Sequence, residues 1–194
     1  MKTIYYTAAS LDGYIAGPDN SLEWLFKLEG EGDRDYPEFI QEIGAIAMGS
    51  TTYQWILDHD ELLEAGKPWP YEQPAWVFTT RTLPAVAGAD IRFVRGDVRP
   101  VHAEMVKEAK GKNVWLVGGG ELVGKFHDHG LLDELVVTVG SVTLGAGAPL
   151  LPRAITTPPL VLESALAMPP GFVQLRYKVA RGHPEPKARD LLGQ

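Results

Sequence analysis

The stretch VWLVGGGELVGKF, residues 114–126, decides how the rest of the chain is read. An apolar run ends in three consecutive glycines, and a segment with helical spacing begins directly after them. This is the pattern of a buried strand turning into a helix. Glycines at such a junction either let the backbone turn tightly or let another group come very close to it. A helix that starts there offers N–H groups without intrahelical acceptors and a partial positive charge, both suited to a phosphate. The spacing is not the G-x-G-x-x-G fingerprint, because Val stands at position 123, and no Gly-Lys-Ser/Thr follows, so it is not a P-loop.

The same junction recurs upstream. AIAMG (45–49) is a short apolar run, followed by Ser50-Thr51-Thr52 and then YQWIL, which predicts strand, hydroxyl cap and helix. AWVFTT (75–80) and IRFVRG (91–96) are further strands, and Thr79-Thr80-Arg81 closes the first of them. Asp97 is placed to cap a helix with Pro100 in its first turn, running to about Lys110. Residues 2–9 read as the first strand and SLDGYIAGPDNS as a loop. Residues 22–28 are short and apolar, and 36–43 are helical with Pro37 near the first turn. Residues 134–142 form a strand, and LGAGAPLLP is a loop. LVLESALAM and GFVQLRYKVA form a terminal strand pair, the second alternating as an antiparallel edge would. Buried runs alternating with helices predict an α/β domain with a mostly parallel central sheet, antiparallel C-terminal strands and flanking helices. Ligands in such sheets sit beyond the carboxyl ends of the strands, here after Met48, Val77 and Val117.

Composition narrows the function. The 194 residues suit one domain over 1–180, with RGHPEPKARDLLGQ (181–194) as a polar tail. A formal net charge of −7 argues against a nucleic-acid binder. No apolar run reaches a membrane span, and the N-terminal segment reads as a strand rather than a signal peptide, so the expected location is cytoplasmic. Cysteine is absent, which removes disulfides and thiolate metal sites and agrees with a reducing compartment. His127-Asp128-His129 reads as a solvated helix end, since positions i and i+2 point apart, and no metal site is expected.

In this order, TAASLDGYIAG, AIAMGSTTYQWI, WVFTTR, VWLVGGGELVGKF and DELVVTVGSVTLGAGAPLL resemble the dihydrofolate reductase-like superfamily. The branch they are most similar to is the reductase domain of bacterial riboflavin biosynthesis. The resemblance covers nearly the whole chain and implies a three-layer fold of that type and NADPH-dependent hydride transfer. Carried over, Ala8, Ile15 and Gly17 lie near the nicotinamide. Gly49, Ser50, Thr51 and Thr52 contact the pyrophosphate and ribose, and Thr79, Thr80 and Arg81 surround the adenosine 2′-phosphate. Val117, Gly118, Gly119, Gly120, Glu121 and Leu122 wrap the cofactor's other side. A guanidinium suits a phosphate dianion, and no carboxylate of the kind an NAD enzyme would use stands between Val77 and Leu83.

The substrate side is less constrained. Folate reductases carry an acid in the first helix, and Asp33 and Asp35 occupy that region in a sequence that matches them poorly. Asp12 fits the riboflavin-type pattern and is equally a turn residue, while Tyr14 stands where that branch often has Lys. Asp12, Asp33 and Asp35 are thus the candidates to orient substrate or relay a proton. Trp24, Phe39 and Tyr53 are candidate walls of an aromatic pocket or simply core, and Thr138 is a candidate substrate contact or a support of the sheet. The expected protein is an NADPH-dependent reductase of a small heterocyclic or sugar-derived molecule, and a homodimer. The alternatives are a genuine folate reductase and a non-catalytic NADPH-binding sensor.

Overall fold

The computed structural model describes residues 1–30 and 32–180, so the tail at 181–194 lies outside the described residues. Eight strands form one sheet. In chain order they are β1 (Thr3–Ser10), β3 (Ile43–Gly49), β4 (Ala75–Phe78), β5 (Ile91–Val94), β6 (Asn113–Gly118), β7 (Glu134–Gly140), β9 (Val161–Met168) and β10 (Phe172–Lys178). Their spatial order is β5-β4-β3-β6-β1-β7-β10-β9. The first six are mutually parallel, and β10 runs antiparallel to both β7 and β9. Two short strands, β2 (Tyr14–Ala16) and β8 (Ala148–Pro149), pair separately.

Period-2 alternation sends each strand's side chains into two cores. From β3, Ala45 and Ala47 join one cluster while Ile46 and Met48 join the other. The first cluster packs under α4 (Val98–Glu108) and α5 (Gly120–Asp128), through Val101, Met105, Val123 and Phe126. The second packs under α2 (Tyr36–Gln41) and α3 (Ser50–His59), through Phe39, Tyr53, Ile56 and Leu57. A four-residue helix, α1 (Glu23–Phe26), lies on the chain before α2. The result is the three-layer dihydrofolate reductase-like architecture that the sequence predicts.

Three expectations are corrected. The stretch SLDGYIAGPDNS is not all loop, because Tyr14–Ala16 pairs with Ala148–Pro149, a contact too short to leave a periodic signal. The sheet edge is β9, not the alternating β10, which is sandwiched between β7 and β9. Finally, α3 is not capped by a hydroxyl. Its N-cap is Gly49, and Ser50, Thr51 and Thr52 lie inside the first turn. Asp97 does cap α4, accepting from the Arg99 N–H at 2.9 Å.

Candidate functional site

The site begins where the sheet opens. β1 keeps register with β7 over seven pairs, from Ile4–Glu134 to Ser10–Gly140. With β6 it keeps three, ending at Tyr5–Leu116. Beyond that point the two central strands part. Thr7 from β1 and Val117 and Gly118 from β6 line a cleft of about 400 Å3 at the carboxyl ends of the strands. Gly49, Ser50, Thr51 and Thr52 enter it from the start of α3, and Gly119, Gly120, Glu121, Leu122 and Lys125 from α5.

The glycines at the two junctions have separate causes. A Cβ on Gly120 would lie 2.5 Å from the Leu150 carbonyl oxygen, so that residue is glycine because residues 149–150 press on the helix. Gly118 faces Thr52, whose Oγ1 would lie 3.3 Å from an added Cβ. Gly119 has no such internal reason: its nearest neighbour would be Ile15 Cδ1, at an ordinary 3.7 Å. Gly49 is similar, with Gly119 N at 3.8 Å. Gly49 and Gly119 have φ of −81° and −92°, and neither provides a side-chain cap for its helix. Two helix N-termini therefore meet side by side at the cleft, with small residues that the protein's own packing does not demand. Such a pair presents N–H groups to an anion, and the missing side chains leave room for it.

Two loops zip together over one side. Ile15 and Ala16 of β2 and Ala148 and Pro149 of β8 line the cleft, and the Leu150 N–H donates to the Gly13 carbonyl at 2.9 Å. Asp12 fastens the zipper. Its carboxylate accepts from the Ser10 hydroxyl at 2.6 Å, from the Gly145 N–H at 2.7 Å and from the Leu144 N–H at 3.0 Å. The Ser10 hydroxyl, with these N–H groups, holds the carboxyl below the usual carboxylate range. Asp12 is therefore placed as a clamp between loops and is not among the residues lining the cleft. On the opposite side Trp55 of α3 lines the cleft, stacked on His59 at 4.3 Å and on Phe26 at 6.2 Å.

The acidic candidates separate clearly. Asp33 is exposed, and its backbone carbonyl accepts from the Tyr36 N–H. Asp35 occupies the N-cap position of α2 but makes no capping bond. Its carboxylate instead accepts from Tyr6 Oη at 2.9 Å and from Gln174 Nε2 at 2.9 and 3.0 Å. Burial raises the Tyr6 phenol far above its ordinary value, and the bond to Asp35 adds to this. In register, Ala8 pairs with Thr138 and Thr138 with Gln174. One row thus runs from Ala8, whose side chain faces away from that of the cleft-lining Thr7, through the buried Thr138 to Gln174, which holds Asp35; like Asp12, Asp35 is not among the residues lining the cleft. Phe39 stacks on Tyr6 at 4.3 Å and meets Trp115 edge-on, so it supports the Tyr6 ring.

Other candidates fall elsewhere. Tyr53 is wholly buried and donates to the Pro84 carbonyl at 2.7 Å, which makes it core and not a substrate wall. Trp24 lies over Gly140. Gly17 closes a turn through Ser21 and Asn20 rather than lining the cleft. Thr79, Thr80 and Arg81 follow the cleft-lining Phe78 in a tight turn, where the Arg81 N–H donates to Thr79 Oγ1 at 2.9 Å. Asp128 is bound by Arg153, and no group of metal-ligating side chains occurs among the described residues. Sequence reasoning passed over Trp55, Lys125, Tyr6 and Gln174. Glu121 and Lys125, four apart after the glycines, were the available signal for Lys125; Tyr6 and Gln174 come together only through sheet order.

The parted central strands, the paired helix starts and the parallel-to-antiparallel sheet define a dihydrofolate reductase-like α/β protein. Residues 54–173 match the RibD C-terminal domain, and the chain belongs to that family. It is 36% identical over 149 residues to the uncharacterized protein YwjB of Bacillus subtilis, covering 77% of this chain and 82% of that one. It is 26% identical over 182 residues to YyaP of the same organism, also uncharacterized, covering 91% and 94%. A crystal structure from Shewanella sp. PV-4, of a protein provisionally assigned to riboflavin biosynthesis, superposes with a TM-score of 0.76 at 26% identity over 93% of this chain and all of that one. Acinetobacter baumannii RibD shares the fold, with a TM-score of 0.61 at 16% identity, and this chain spans 57% of its length.

Proposed function

We propose that this protein is an NADPH-dependent reductase that passes hydride to a small heterocyclic or sugar-derived molecule. The observation that carries the reading is the meeting of Gly49 and Gly119. Both are helix N-caps with no packing reason to be glycine, and they stand together in the cleft at the opening of the sheet. The residues present fit a dinucleotide. The first turns of α3 and α5 would hold its pyrophosphate, with Ser50, Thr51 and Thr52 as hydroxyl partners. Ile15, Val117 and Gly118 would enclose the reacting end, and Thr79, Thr80 and Arg81 would take the 2′-phosphate. When bound, NADPH supplies the hydride from its nicotinamide ring.

The chain's own residues do the rest. The β2–β8 flap, fastened by Asp12, walls one side of the cleft and would shield the reacting groups there from water. Asp35, held by Tyr6 and Gln174, orients the substrate or relays its proton. We place the protein in the cytoplasm, in keeping with a cysteine-free sequence. Among the described residues no helix is long and apolar enough to cross a membrane. We also propose a homodimer. The edge strand β9 is exposed up to the buried Met168 at its end, with Val161, Leu162 and Leu166 at 50, 54 and 43% exposure, and a second copy would cover it.

The test is a calorimetric titration of the purified protein with NADPH and with NADH, followed in parallel by intrinsic tryptophan fluorescence, to which Trp55 in the cleft contributes. Saturable binding that prefers NADPH, followed by oxidation of the bound cofactor by a member of an electrophile panel, is the expected result. Failure to bind either nucleotide sinks the cofactor reading. Tight binding without oxidation by any electrophile leaves a sensor and sinks the reductase.

A further inference from the structure

Two charged side chains line the cleft, Glu121 and Lys125, four residues apart on α5. At that spacing a Glu followed by a Lys is a favourable helix-surface pair. Elsewhere the chain makes that pair: Lys27 closes on Glu23 at 2.7 Å. On α5 it does not. Glu121 is drawn instead to Arg153, whose Nη1 lies 3.3 Å from Glu121 Oε2. Arg153 is anchored there. Its Nε contacts Asp128 Oδ2 at 2.9 Å, and its Nη1 donates to the Pro152 carbonyl at 2.8 Å. Its guanidinium also fills a notch over Gly124, where a Cβ would lie 2.6 Å from Arg153 Cζ. Lys125 makes no ion pair among the described residues. A chain with a net charge of −7 thus presents a lone ammonium to its cleft, with the adjacent carboxylate occupied elsewhere.

We infer that Lys125 is the cation that recognises a phosphate group of the ligand in this cleft, and that Arg153 is a positioning residue that keeps Glu121 from neutralising it. The inference rests on the cofactor reading above and adds a residue to it. A compact ammonium on a flexible stem can follow a phosphate as a point charge. Glycine at 124 is what lets Arg153 lie close enough to the helix to reach both acids.

The experiment titrates wild type, Lys125→Met, Arg153→Met, Arg153→Met with Glu121→Gln, and Arg81→Ala with NADPH, NADH and inorganic pyrophosphate, at low and high salt. Melting temperatures are recorded alongside. Lys125→Met is expected to weaken nucleotide binding about tenfold and to flatten its salt dependence, with the melting temperature unchanged. A loss shared by NADPH and NADH assigns Lys125 to the pyrophosphate, and a loss confined to NADPH assigns it to the 2′-phosphate. Arg153→Met is expected to weaken binding, and adding Glu121→Gln to restore it, a rescue that a merely structural Arg153 would not show. Unchanged affinity and salt dependence in Lys125→Met overturn the inference. Failure of Glu121→Gln to rescue overturns the role of Arg153. If wild type binds neither nucleotide, the cofactor reading fails separately. Pyrophosphate binding that is lost in Lys125→Met then supports the phosphate role, and no pyrophosphate binding overturns it.

Discussion

The indole N–H of Trp115 donates to the backbone carbonyl of Tyr6 at 3.0 Å, across the gap where β1 and β6 part. Tyr6 lies one residue past the last β1–β6 pair, where β1 remains paired with β7 alone. The side chain replaces the ladder and lets the sheet open without leaving that acceptor unmet. Trp115→Phe keeps the ring and removes the donor. It should lower unfolding stability by about 1–3 kcal/mol, measured by urea denaturation, and weaken nucleotide binding by loosening the mouth of the cleft.

The glycines give a contrast within one motif. Gly119→Ala should fold with nearly wild-type stability, since its Cβ meets nothing closer than 3.7 Å, and should bind nucleotide less tightly. Gly120→Ala should lose about 1–3 kcal/mol from forced overpacking, because its Cβ would collide with backbone carbonyl oxygens at Pro149 and Leu150. Thermal melts and titrations of the two variants would separate these outcomes, and equal behaviour would refute the division of roles.

Asp35 can be tested apart from cofactor binding. Asp35→Asn should leave NADPH affinity near wild type and cut turnover roughly 100-fold, the lower range for a lost general acid or base. Tyr6→Phe and Gln174→Leu, which remove the groups holding the carboxylate, should cause smaller losses of the same kind. Full turnover in Asp35→Asn would remove this residue from the chemistry.

The Asp12 clamp carries a pH signature. A carboxyl held below its unfolded value adds stability above that value, about pH 4, and loses it as pH falls through the lower folded value. Wild type should therefore exceed Asp12→Asn in stability near neutrality, and the gap should close in acid. Stability profiles of the two proteins against pH would show this. A gap that widens in acid would contradict the bonding at residues 144 and 145.

The edge strand predicts assembly. Light scattering should give a dimer mass for the wild type and a monomer mass for Leu162→Lys with Leu166→Lys, since charge on an exposed strand opposes pairing. A monomeric wild type would remove the homodimer.

What was legible in the sequence was what local pattern encodes. The alternating apolar runs gave the strands, and residues 118–120 and 49–52 marked the two helix starts that the sheet brings together. What was not legible depends on which strands become neighbours. Asp35 reads only as an acid near the first helix, yet its partners stand 29 and 139 residues away. Tyr53 reads equally as pocket wall or core, and its ring lies in the second cluster with its hydroxyl satisfied by the Pro84 carbonyl. The three glycines divide in cause, because residues 149–150, invisible as a neighbour from sequence, account for the third of them.

The β2–β8 flap has a further consequence for how the molecule breathes. It is tied by two strand pairs, the Gly13–Leu150 bond and the Asp12 clamp, whereas β1 and β7 share seven pairs in the middle of the sheet. Opening the flap breaks only these ties and lifts Ile15 and Leu150 off the first cluster, while the β1–β7 ladder stays paired. Amide protons at residues 16 and 150 should therefore exchange with deuterium through a local fluctuation of low free energy, well before those of β1 and β7 are released by global unfolding. A ligand could then enter and leave on the timescale of the flap while the sheet beneath it stays intact.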